Sequence, residues 1–371
     1  MTSVLISGAS IAGPALASFL RRHGFTVTVV ERAPGLRPGG QAVDVRGAAL
    51  TVADRMGILS DVRSCRTHMK GMSMLDGEGN ELWRSTEVAL SSGRLDSDDV
   101  ELLREDLSRL IHERTHEDVE YVFGDSITSL VQDEHGVHVT FERTAPRVFD
   151  LVVGADGLHS NVRRLAFGPE EQFVHHLGTY VAIFSTDNYL GLEDWQTWFN
   201  DGTTGGAVYP VRGNTELRVN LGFEAQEPIE YDYRDVEAQK RLVAEHCAHG
   251  GWEVPRLLKA MWDAPDFYFD SMAQVRMDRW STGRVALLGD AGYCASPLSG
   301  QGTSLALVGA YVLADELAKA GHESAFAAYE ARMRPFVELN QALVEENRKH
   351  MEQDPAGPSP VDHVKNAIEL P

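Results

Sequence analysis

The first thirty residues carry the feature that most constrains the fold. Ser3–Ser7 is a short apolar run typical of a buried strand, and a glycine-rich turn at residues 8–13 opens a helical segment that continues to about His23. A second apolar run, Phe25–Val30, ends at an acid, Glu31. A strand, a tight turn, a helix and a second strand that ends in an acid form the dinucleotide-binding unit of α/β proteins. A Rossmann-like fold with a parallel sheet is therefore predicted.

Each position of this unit has a physical role. Gly8 allows the tight turn, Gly13 allows the helix to pack closely, and Glu31 is placed to bind ribose hydroxyls. The free N–H groups at the helix N-terminus suit a pyrophosphate; this end of the helix is formed by Ser10, Ile11 and Ala12. Ser10 replaces the usual middle glycine. Up to Glu31 the unit fits an NAD enzyme and an FAD enzyme equally well, and an α/β fold with an empty phosphate loop also remains open.

A second informative stretch covers residues 283–302. Val285–Leu288 is an unbroken apolar run typical of a strand buried on both faces, and it ends at Gly289-Asp290. Ligands of open α/β sheets bind at the carboxyl ends of the strands, which is where Asp290 falls. A loop with Pro297, Gly300 and Gly302 then leads into a predicted helix, residues 303–320. The helix N-terminus would direct positive potential toward a ligand in the loop, although Asp290 could also be a simple helix cap.

Three further segments carry candidate residues. Residues 150–164 read as a buried strand that ends at Asp156-Gly157 and then starts a helix, so Asp156 is a ligand candidate or a helix cap. Residues 39–47 form a glycine-rich turn and a short strand that contains Arg46, which could equally be a surface arginine. An amphipathic helix is predicted to begin at Val100 and to carry Arg104, which could also be exposed.

Together these motifs resemble the fingerprints of the class A FAD-dependent monooxygenases, the family of para-hydroxybenzoate hydroxylase. The resemblance is strongest to its compact tetracycline-inactivating and antibiotic-tailoring members. It implies that Asp290 holds the ribityl chain of FAD, that Arg46 lies beside the isoalloxazine ring as the candidate catalytic residue, and that Arg104 reaches the phosphates or ribityl oxygens. The cofactor-binding residues it implies are Gly8, Ser10, Ile11, Ala12, Gly13, Glu31, Arg32, Arg46, Arg104, Asp156, Asp290, Pro297, Gly300 and Gly302.

The same resemblance implies a reaction. NADPH or NADH would reduce the flavin transiently, and a flavin hydroperoxide formed with O2 would insert one oxygen atom into a phenolic, polyketide or heteroaromatic small molecule. An FAD-linked dehydrogenase or reductase, a plain NAD dehydrogenase and a non-catalytic, ligand-sequestering flavoprotein remain alternatives. The sequence departs from the family at Tyr293, where histidine is frequent, and at Ser304 and Gly309, which replace asparagine and an acid.

The predicted architecture has an FAD-binding domain and a substrate domain with a mostly antiparallel sheet covered by helices. The FAD-binding domain is assigned residues 1–70, 92–170 and 278–325, and the substrate domain residues 71–91 and 171–277. Residues 326–371 are assigned a long helix, bent or broken at Pro335, and a tail. In the substrate domain, residues 216–223 alternate between apolar and polar side chains, so Arg218 and Asn220 share one strand face and are the candidate substrate contacts. Which face meets the flavin stays open.

Composition excludes several classes of function. The formal net charge is −21 over 371 residues, which disfavours binding to nucleic acid or to an anionic membrane surface. The three cysteines are widely spaced and suggest neither a disulfide framework nor a metal site. No apolar run is long enough to span a bilayer. A cytoplasmic monomer or homodimer without metal is expected.

Overall fold

The computed structural model describes residues 1–90, 93–353 and 359–371. The strands are β1 Ser3–Ser7, β2 Thr26–Glu31, β3 Ala42–Val45, β4 Gly71–Leu75, β5 Glu81–Ser85, β6 Val88–Ala89, β7 Gly93–Arg94, β8 Val100–Leu103, β9 Glu120–Phe123, β10 Ile127–Gln132, β11 Val137–Phe141, β12 Arg147–Phe149, β13 Leu151–Gly154, β14 Val174–Asp187, β15 Trp195–Asn200, β16 Thr204–Val211, β17 Glu216–Glu224, β18 Tyr268–Val275, β19 Ser281–Thr282 and β20 Val285–Leu287. The helices are α1 Ala12–Arg22, α2 Ala48–Met56, α3 Leu59–Ser64, α4 Arg104–Glu113, α5 Asn161–Ala166, α6 Val236–His246, α7 Val254–Asp263, α8 Asp290–Tyr293, α9 Gly302–Lys319, α10 His322–Gln353 and α11 Val361–Val364.

A six-stranded sheet in the order β19-β20-β13-β1-β2-β9 forms the centre of the larger core. All neighbouring pairs in it are parallel except β19 and β20. Every residue of β13 and β20 is buried, as expected for strands covered by helices on both faces. The predicted Rossmann-like parallel sheet is confirmed. Its carboxyl ends bring the residues after β1, β2, β13 and β20 to one edge.

A seven-stranded sheet in the order β18-β14-β17-β16-β15-β4-β5 forms the second layer. Its pairs are antiparallel except for β15 with β4. On β17 the predicted alternation holds, because Leu217, Val219 and Leu221 are buried in a cluster with residues of α6 and α7. The opposite face of β17 carries Arg218, Asn220 and Gly222 and is turned away from that cluster. The residue boundaries assigned to the two domains stay a prediction.

The prediction that a helix begins at Val100 is wrong. Val100–Leu103 is strand β8, which pairs antiparallel with β3, and α4 begins only at Arg104. Four consecutive buried residues fit a strand that is enclosed on both faces. The pairing with β3 is a contact between distant segments, so local helical periodicity could not reveal it.

The carboxyl-terminal region packs back onto the larger core. The long predicted helix is present as α10, and it runs through Pro335 without a break. Most of the predicted linker, residues 354–360, lies outside the described residues. Beyond it, Lys365 forms an ion pair with Asp99 at 2.8 Å, and the hydroxyl of Tyr311 donates to the carbonyl oxygen of Pro371. No helix in the described ranges has the length and apolarity needed to cross a membrane.

Candidate active site

The glycine-rich turn after β1 leaves no room for side chains. Gly8 has φ +107°, and a Cβ atom there would lie 2.4 Å from the carbonyl oxygen of Ala155. A Cβ atom on Gly13 would lie 2.0 Å from the carbonyl oxygen of Gly8. Helix α1 starts directly after the turn, with no side-chain cap at Ile11 and no acid in its first turn. Its free N–H groups therefore remain available for an anion, as a dinucleotide pyrophosphate requires.

Glu31 lies at the carboxyl end of β2 beside this turn. Its carboxylate accepts hydrogen bonds from the backbone N–H groups of Ala9 at 2.9 Å and of Ala33 at 2.8 Å. The acid is thereby fixed at the edge of the turn, where the ribose of a nucleotide would lie. Arg32 is exposed, and its guanidinium lies 5.4 Å from the centre of the Tyr233 ring.

Arg104 is a buried cation that points at the same turn. It donates to the hydroxyl of Ser10 at 3.1 Å and to the carbonyl oxygens of Arg37 and Gly39. Ser10, the departure from the usual glycine, thus helps to hold this arginine. The Nε atom of Arg104 is buried without a hydrogen-bond partner, and within the described part of the chain no carboxylate lies within 4.0 Å of its guanidinium. Burial and the neighbouring Arg37 lower the pKa of Arg104. A bound phosphate would compensate this charge.

Asp156 is engaged by the protein itself. One carboxylate oxygen accepts from the hydroxyl of Ser160 at 2.5 Å, and the other accepts from the hydroxyl of Ser7 and from the N–H groups of Asn161 and Val162. Burial raises the pKa of Asp156, and these hydrogen bonds oppose the shift. The residue caps the start of α5 and ties it to β1. Asp156 also lines the cavity, where it could contact a cofactor. That contact stays a prediction.

Asp290 lies where β20 ends, at the start of α8, and its carboxylate is open to the cavity. A single-turn 3-10 helix, Pro297–Ser299, follows and ends at Gly300 with φ +67°. The long helix α9 then begins at Gly302, and a Cβ atom on Gly302 would lie 3.9 Å from the Asp290 carboxylate. The carboxylate and the helix N-terminus thus face one space. The hydroxyl groups of a neutral polyol chain can donate hydrogen bonds to the carboxylate. The helix N-terminus can stabilise a ring that gains negative charge when it accepts electrons.

Arg46 belongs to the wall of the same space. It is 5% exposed, forms an ion pair with Asp44 at 2.9 Å, and its backbone N–H donates to the hydroxyl of Ser304 at 3.2 Å. Ser304, one of the departures from the family, therefore holds the backbone of Arg46. Burial raises the pKa of Asp44 to about 7, although the adjacent Arg46 opposes the shift. A cation and a carboxyl that titrates near neutrality thus meet at the cavity wall.

One cavity of roughly 1410 Å³ joins these features. Small-molecule pockets commonly enclose roughly 300–1,000 Å³, so this cavity can hold more than one ligand. It runs from the turn after β1 to the face of the seven-stranded sheet opposite α6 and α7. Four small residues form part of that floor: Gly205, Gly206, Ala207 and Gly222. Gly205 of β16 and Gly222 of β17 are directly opposite each other and carry no side chain, so the sheet surface is bare there.

The two candidate substrate residues on β17 have different surroundings. Asn220 lines the cavity, and its side-chain oxygen is buried without a hydrogen-bond partner. Arg218 is 1% exposed, forms an ion pair with Asp266, donates to the Ser185 hydroxyl and does not line the cavity. Both substrate roles stay predictions, and Asn220 is the better placed of the two.

Sequence reasoning missed a polar network on the cavity wall. His159 contacts Glu170 at 2.8 Å through one ring nitrogen and Asp270 at 3.0 Å through the other. Asp270 also accepts from the hydroxyl of Tyr268 at 2.7 Å. Burial lowers the pKa of His159, but the two carboxylates outweigh it and raise the pKa to about 10. Its place three residues after Asp156 is visible in the sequence, whereas its partners come from distant segments.

The two departures from the family at Tyr293 and Gly309 are sterically linked. Tyr293 is 1% exposed, and its hydroxyl accepts a hydrogen bond from Tyr329 at 2.8 Å. A Cβ atom on Gly309 would lie 2.2 Å from that hydroxyl. The larger ring after Gly-Asp-Ala therefore requires a glycine on α9. No group of three or more His, Cys, Asp or Glu residues in the described chain could hold a metal ion.

Comparison with known proteins agrees with this geometry. Residues 1–343 match the family model described as FAD binding domain. A flavin-dependent monooxygenase from an unknown prokaryotic organism is 41% identical over 341 residues, which cover 92% of this chain and 88% of that protein. This chain belongs to the family of FAD-dependent monooxygenases. An uncharacterized protein of Mycobacterium tuberculosis, Rv1260, is 56% identical over 94% of each chain. The crystal structure of tetracycline destructase Tet(51) superimposes with a TM-score of 0.87 at 36% identity, over 100% of this chain and 99% of that one.

The residues present fit FAD. The turn at Gly8 and Gly13, the start of α1 and the uncompensated Arg104 suit the pyrophosphate, and Glu31 suits the ribose of the adenosine half. Asp290 and the start of α9 suit the ribityl chain and the flavin ring. These individual assignments stay predictions.

Proposed function

We propose that this FAD-dependent monooxygenase uses NADPH or NADH to insert one oxygen atom from O2 into a phenolic, polyketide or heteroaromatic small molecule. The observation that carries the proposal is the single cavity that joins the dinucleotide-binding turn to the bare, glycine-rich sheet face. A nucleotide cofactor and a flat organic substrate can lie in it together. FAD, when bound and reduced, supplies the chemistry of oxygen activation.

The reductant has no Rossmann unit of its own in the described residues. The six-stranded sheet provides one dinucleotide-binding turn, after β1, and the FAD assignment uses it. NADPH or NADH therefore reaches the flavin transiently, and two exposed arginines on the cavity rim, Arg32 and Arg37, offer positive charge in a strongly acidic protein. Arg46 is proposed to attract the reductant or to stabilise negative charge on the reduced ring.

The protein's own residues position the reactants and exclude water. Asp290 and the start of α9 orient the cofactor, the floor of β16 and β17 receives the substrate, and α10 closes the far side through Val344 and Asn347. Exclusion of water protects an activated oxygen species from unproductive decay. Because a structural relative is a tetracycline destructase, a tetracycline is a reasonable first probe among fused-ring phenols.

The test has two stages. The purified protein should be yellow, and heat should release FAD that chromatography identifies; recovery of NAD or of no nucleotide would contradict the cofactor assignment. The holoenzyme is then supplied with NADPH or NADH under isotopically labelled O2, with tetracycline, a simple phenol and a hydroxypyridine as probes. One labelled atom in a product supports the proposal. Product without label, formed while oxygen is converted only to peroxide, indicates a dehydrogenase or oxidase instead.

A further inference from the structure

Two carboxyl groups face each other across the short sheet formed by β3 and β8. Asp44 on β3 is directly opposite Glu101 on β8. Asp44 lines the cavity with a side chain that is 10% exposed, whereas Glu101 is 4% exposed and does not line the cavity. Like charges directly opposite each other on neighbouring strands repel. The pair is therefore unfavourable when both groups are ionised.

The hydrogen bonds of the described chain satisfy only one of the two carboxylate oxygens of Glu101. One carboxylate oxygen accepts from the hydroxyl of Thr67 at 2.6 Å, and the other is buried without a partner in the described chain. A buried acceptor without a donor is costly. A proton on Asp44 removes the repulsion between the two carboxylates, so Asp44 holds its proton more readily than an isolated carboxyl does.

The surrounding charges set the pH at which this proton is exchanged. Arg46, which directly follows β3, forms an ion pair with Asp44. Asp99 lies just before β8, where Lys365 and the N–H of Gly47 hold it. Burial raises the pKa of Asp44 to about 7 against the effect of Arg46, and Glu101 and Asp99 add to the rise. Near neutral pH, Asp44 can therefore both accept and release a proton.

The face of β3 that carries Asp44 is turned toward the substrate side of the cavity. Ala42 and Asp44 share this face because side chains alternate along a strand. Ala42 packs against a cluster that contains Tyr209 of the seven-stranded sheet, and its N–H donates to the Tyr209 hydroxyl at 2.9 Å. Asp44 thus lies between the part of the cavity wall that carries Arg46 and the surface of the seven-stranded sheet.

From this geometry we infer that Asp44 is the catalytic base of the reaction, that it acts on a substrate carrying an aromatic or enolic hydroxyl group, and that Glu101 is its positioning residue. The inference rests on the proposed function. The substrate O–H bond breaks, the proton passes to a carboxylate oxygen of Asp44, and the electron pair stays on the substrate oxygen. The ring becomes more electron-rich and reacts faster with an electrophilic oxygen atom. Release of the proton to water restores the carboxylate.

The experiment uses the holoenzyme with aspartate isotopically labelled at its side-chain carboxyl, so that NMR follows the titration of Asp44 directly. The signal assigned by its loss in Asp44→Asn should titrate near neutral pH, and Glu101→Gln should move it to lower pH. The matched control is Asp187→Asn, because Asp187 is also directly opposite an acid, Glu216, but at an exposed position outside the cavity. This control should leave the signal unchanged.

The kinetic half measures kcat and KM for tetracycline against pH, with FAD content and thermal unfolding as checks on folding. In the wild type kcat should rise with pH through the Asp44 titration, and in Glu101→Gln the rise should occur at lower pH. Asp44→Asn should no longer show this rise of kcat with pH. Its kcat should be lower by roughly 100-fold or more, the usual effect of removing a general base. FAD content and flavin reduction by NADPH should be retained in all three variants.

The result that would overturn the inference is an Asp44 that stays ionised down to the ordinary aspartate range, or an Asp44→Asn enzyme with the wild-type pH profile. If Asp44→Asn does not fold, the dependence of kcat on pH in Glu101→Gln decides alone: a profile that is unshifted from the wild type rejects the inference. Failure of the proposed function is separate, since it shows as wild-type enzyme without FAD or without labelled product. In that case the NMR titration still reports whether Asp44 is poised as inferred.

Discussion

The two ends of the cavity are built in different ways. At the dinucleotide end the groups that face the ligand are mostly backbone N–H groups and glycines from one short run, Gly8 to Gly13, together with Glu31 at the end of the next strand, β2. At the other end, which we propose binds the substrate and call the substrate end, they are side chains and bare backbone from β3, β16, β17 and α10, which are far apart in sequence. The first end is encoded locally, and the second exists only after two sheets have packed together.

This difference predicts how each end responds to mutation. A change in the local motif should act through backbone geometry and abolish cofactor binding. A change at the substrate end should act through a single side chain and alter the kinetics while FAD stays bound. The predictions below test that contrast, from the largest expected effect to the smallest.

The largest effect is expected for Gly8→Ala. The new Cβ would lie 2.4 Å from a backbone oxygen that cannot move away, at a residue with φ +107°. Positive φ alone costs roughly 1–3 kcal/mol, and the clash adds to it. Loss of FAD from the purified protein and a lower urea midpoint are the expected results. Gly24→Ala is the matched control, because Gly24 has φ +81° but nothing within 4 Å; if it lost FAD equally, the clash at Gly8 would not be the cause.

The dinucleotide end could be predicted from sequence for the same reason. Gly8, Gly13 and Glu31 follow one another at fixed spacing, and their roles depend on backbone conformation that the spacing dictates. The alternation of apolar and polar residues on β17 likewise predicted correctly which face of the strand is buried. The start of α4 was misplaced because pairing of β8 with β3 overrides local periodicity. The opposition of Asp44 and Glu101 and the carboxylate partners of His159 depend on pairings between distant segments, so sequence alone could not locate them.

The next effect in size is expected for Arg104→Gln, which should weaken FAD binding without destabilising the apoprotein. A charge-assisted hydrogen bond to a phosphate contributes ~1.5–3 kcal/mol, so FAD affinity should fall by roughly 10- to 150-fold. The apoprotein should keep or gain stability, because a buried cation without a carboxylate partner is removed. Fluorescence titration of FAD and urea unfolding of the apoprotein provide the measurements. Arg109→Gln, an exposed arginine on the same helix, should change neither.

A smaller effect, confined to packing, is expected at the two coupled departures, Tyr293 on α8 and Gly309 on α9. Gly309→Ala forces a methyl group toward the Tyr293 hydroxyl and should lower the free energy of unfolding by ~1–3 kcal/mol. Tyr293→Phe removes that oxygen and loses one hydrogen bond, at ~0.5–1.5 kcal/mol. The double variant should be more stable than the sum of the single effects predicts, by roughly 0.5 kcal/mol or more. Strict additivity in urea unfolding would show that the two positions are not coupled.

The smallest effect is expected at the substrate end, for Asn220→Ala. Its side-chain oxygen lines the cavity without a partner, so a substrate donor can bind there and gain one hydrogen bond. Such a bond contributes ~0.5–1.5 kcal/mol, which corresponds to a rise of roughly 2- to 12-fold in KM for tetracycline or for whichever phenol is oxidised. FAD affinity and the urea midpoint should not change, in contrast to Gly8→Ala. An Asn220→Ala enzyme that loses FAD while its KM is normal would reverse the contrast, because a substrate-end side chain would then be supporting the cofactor.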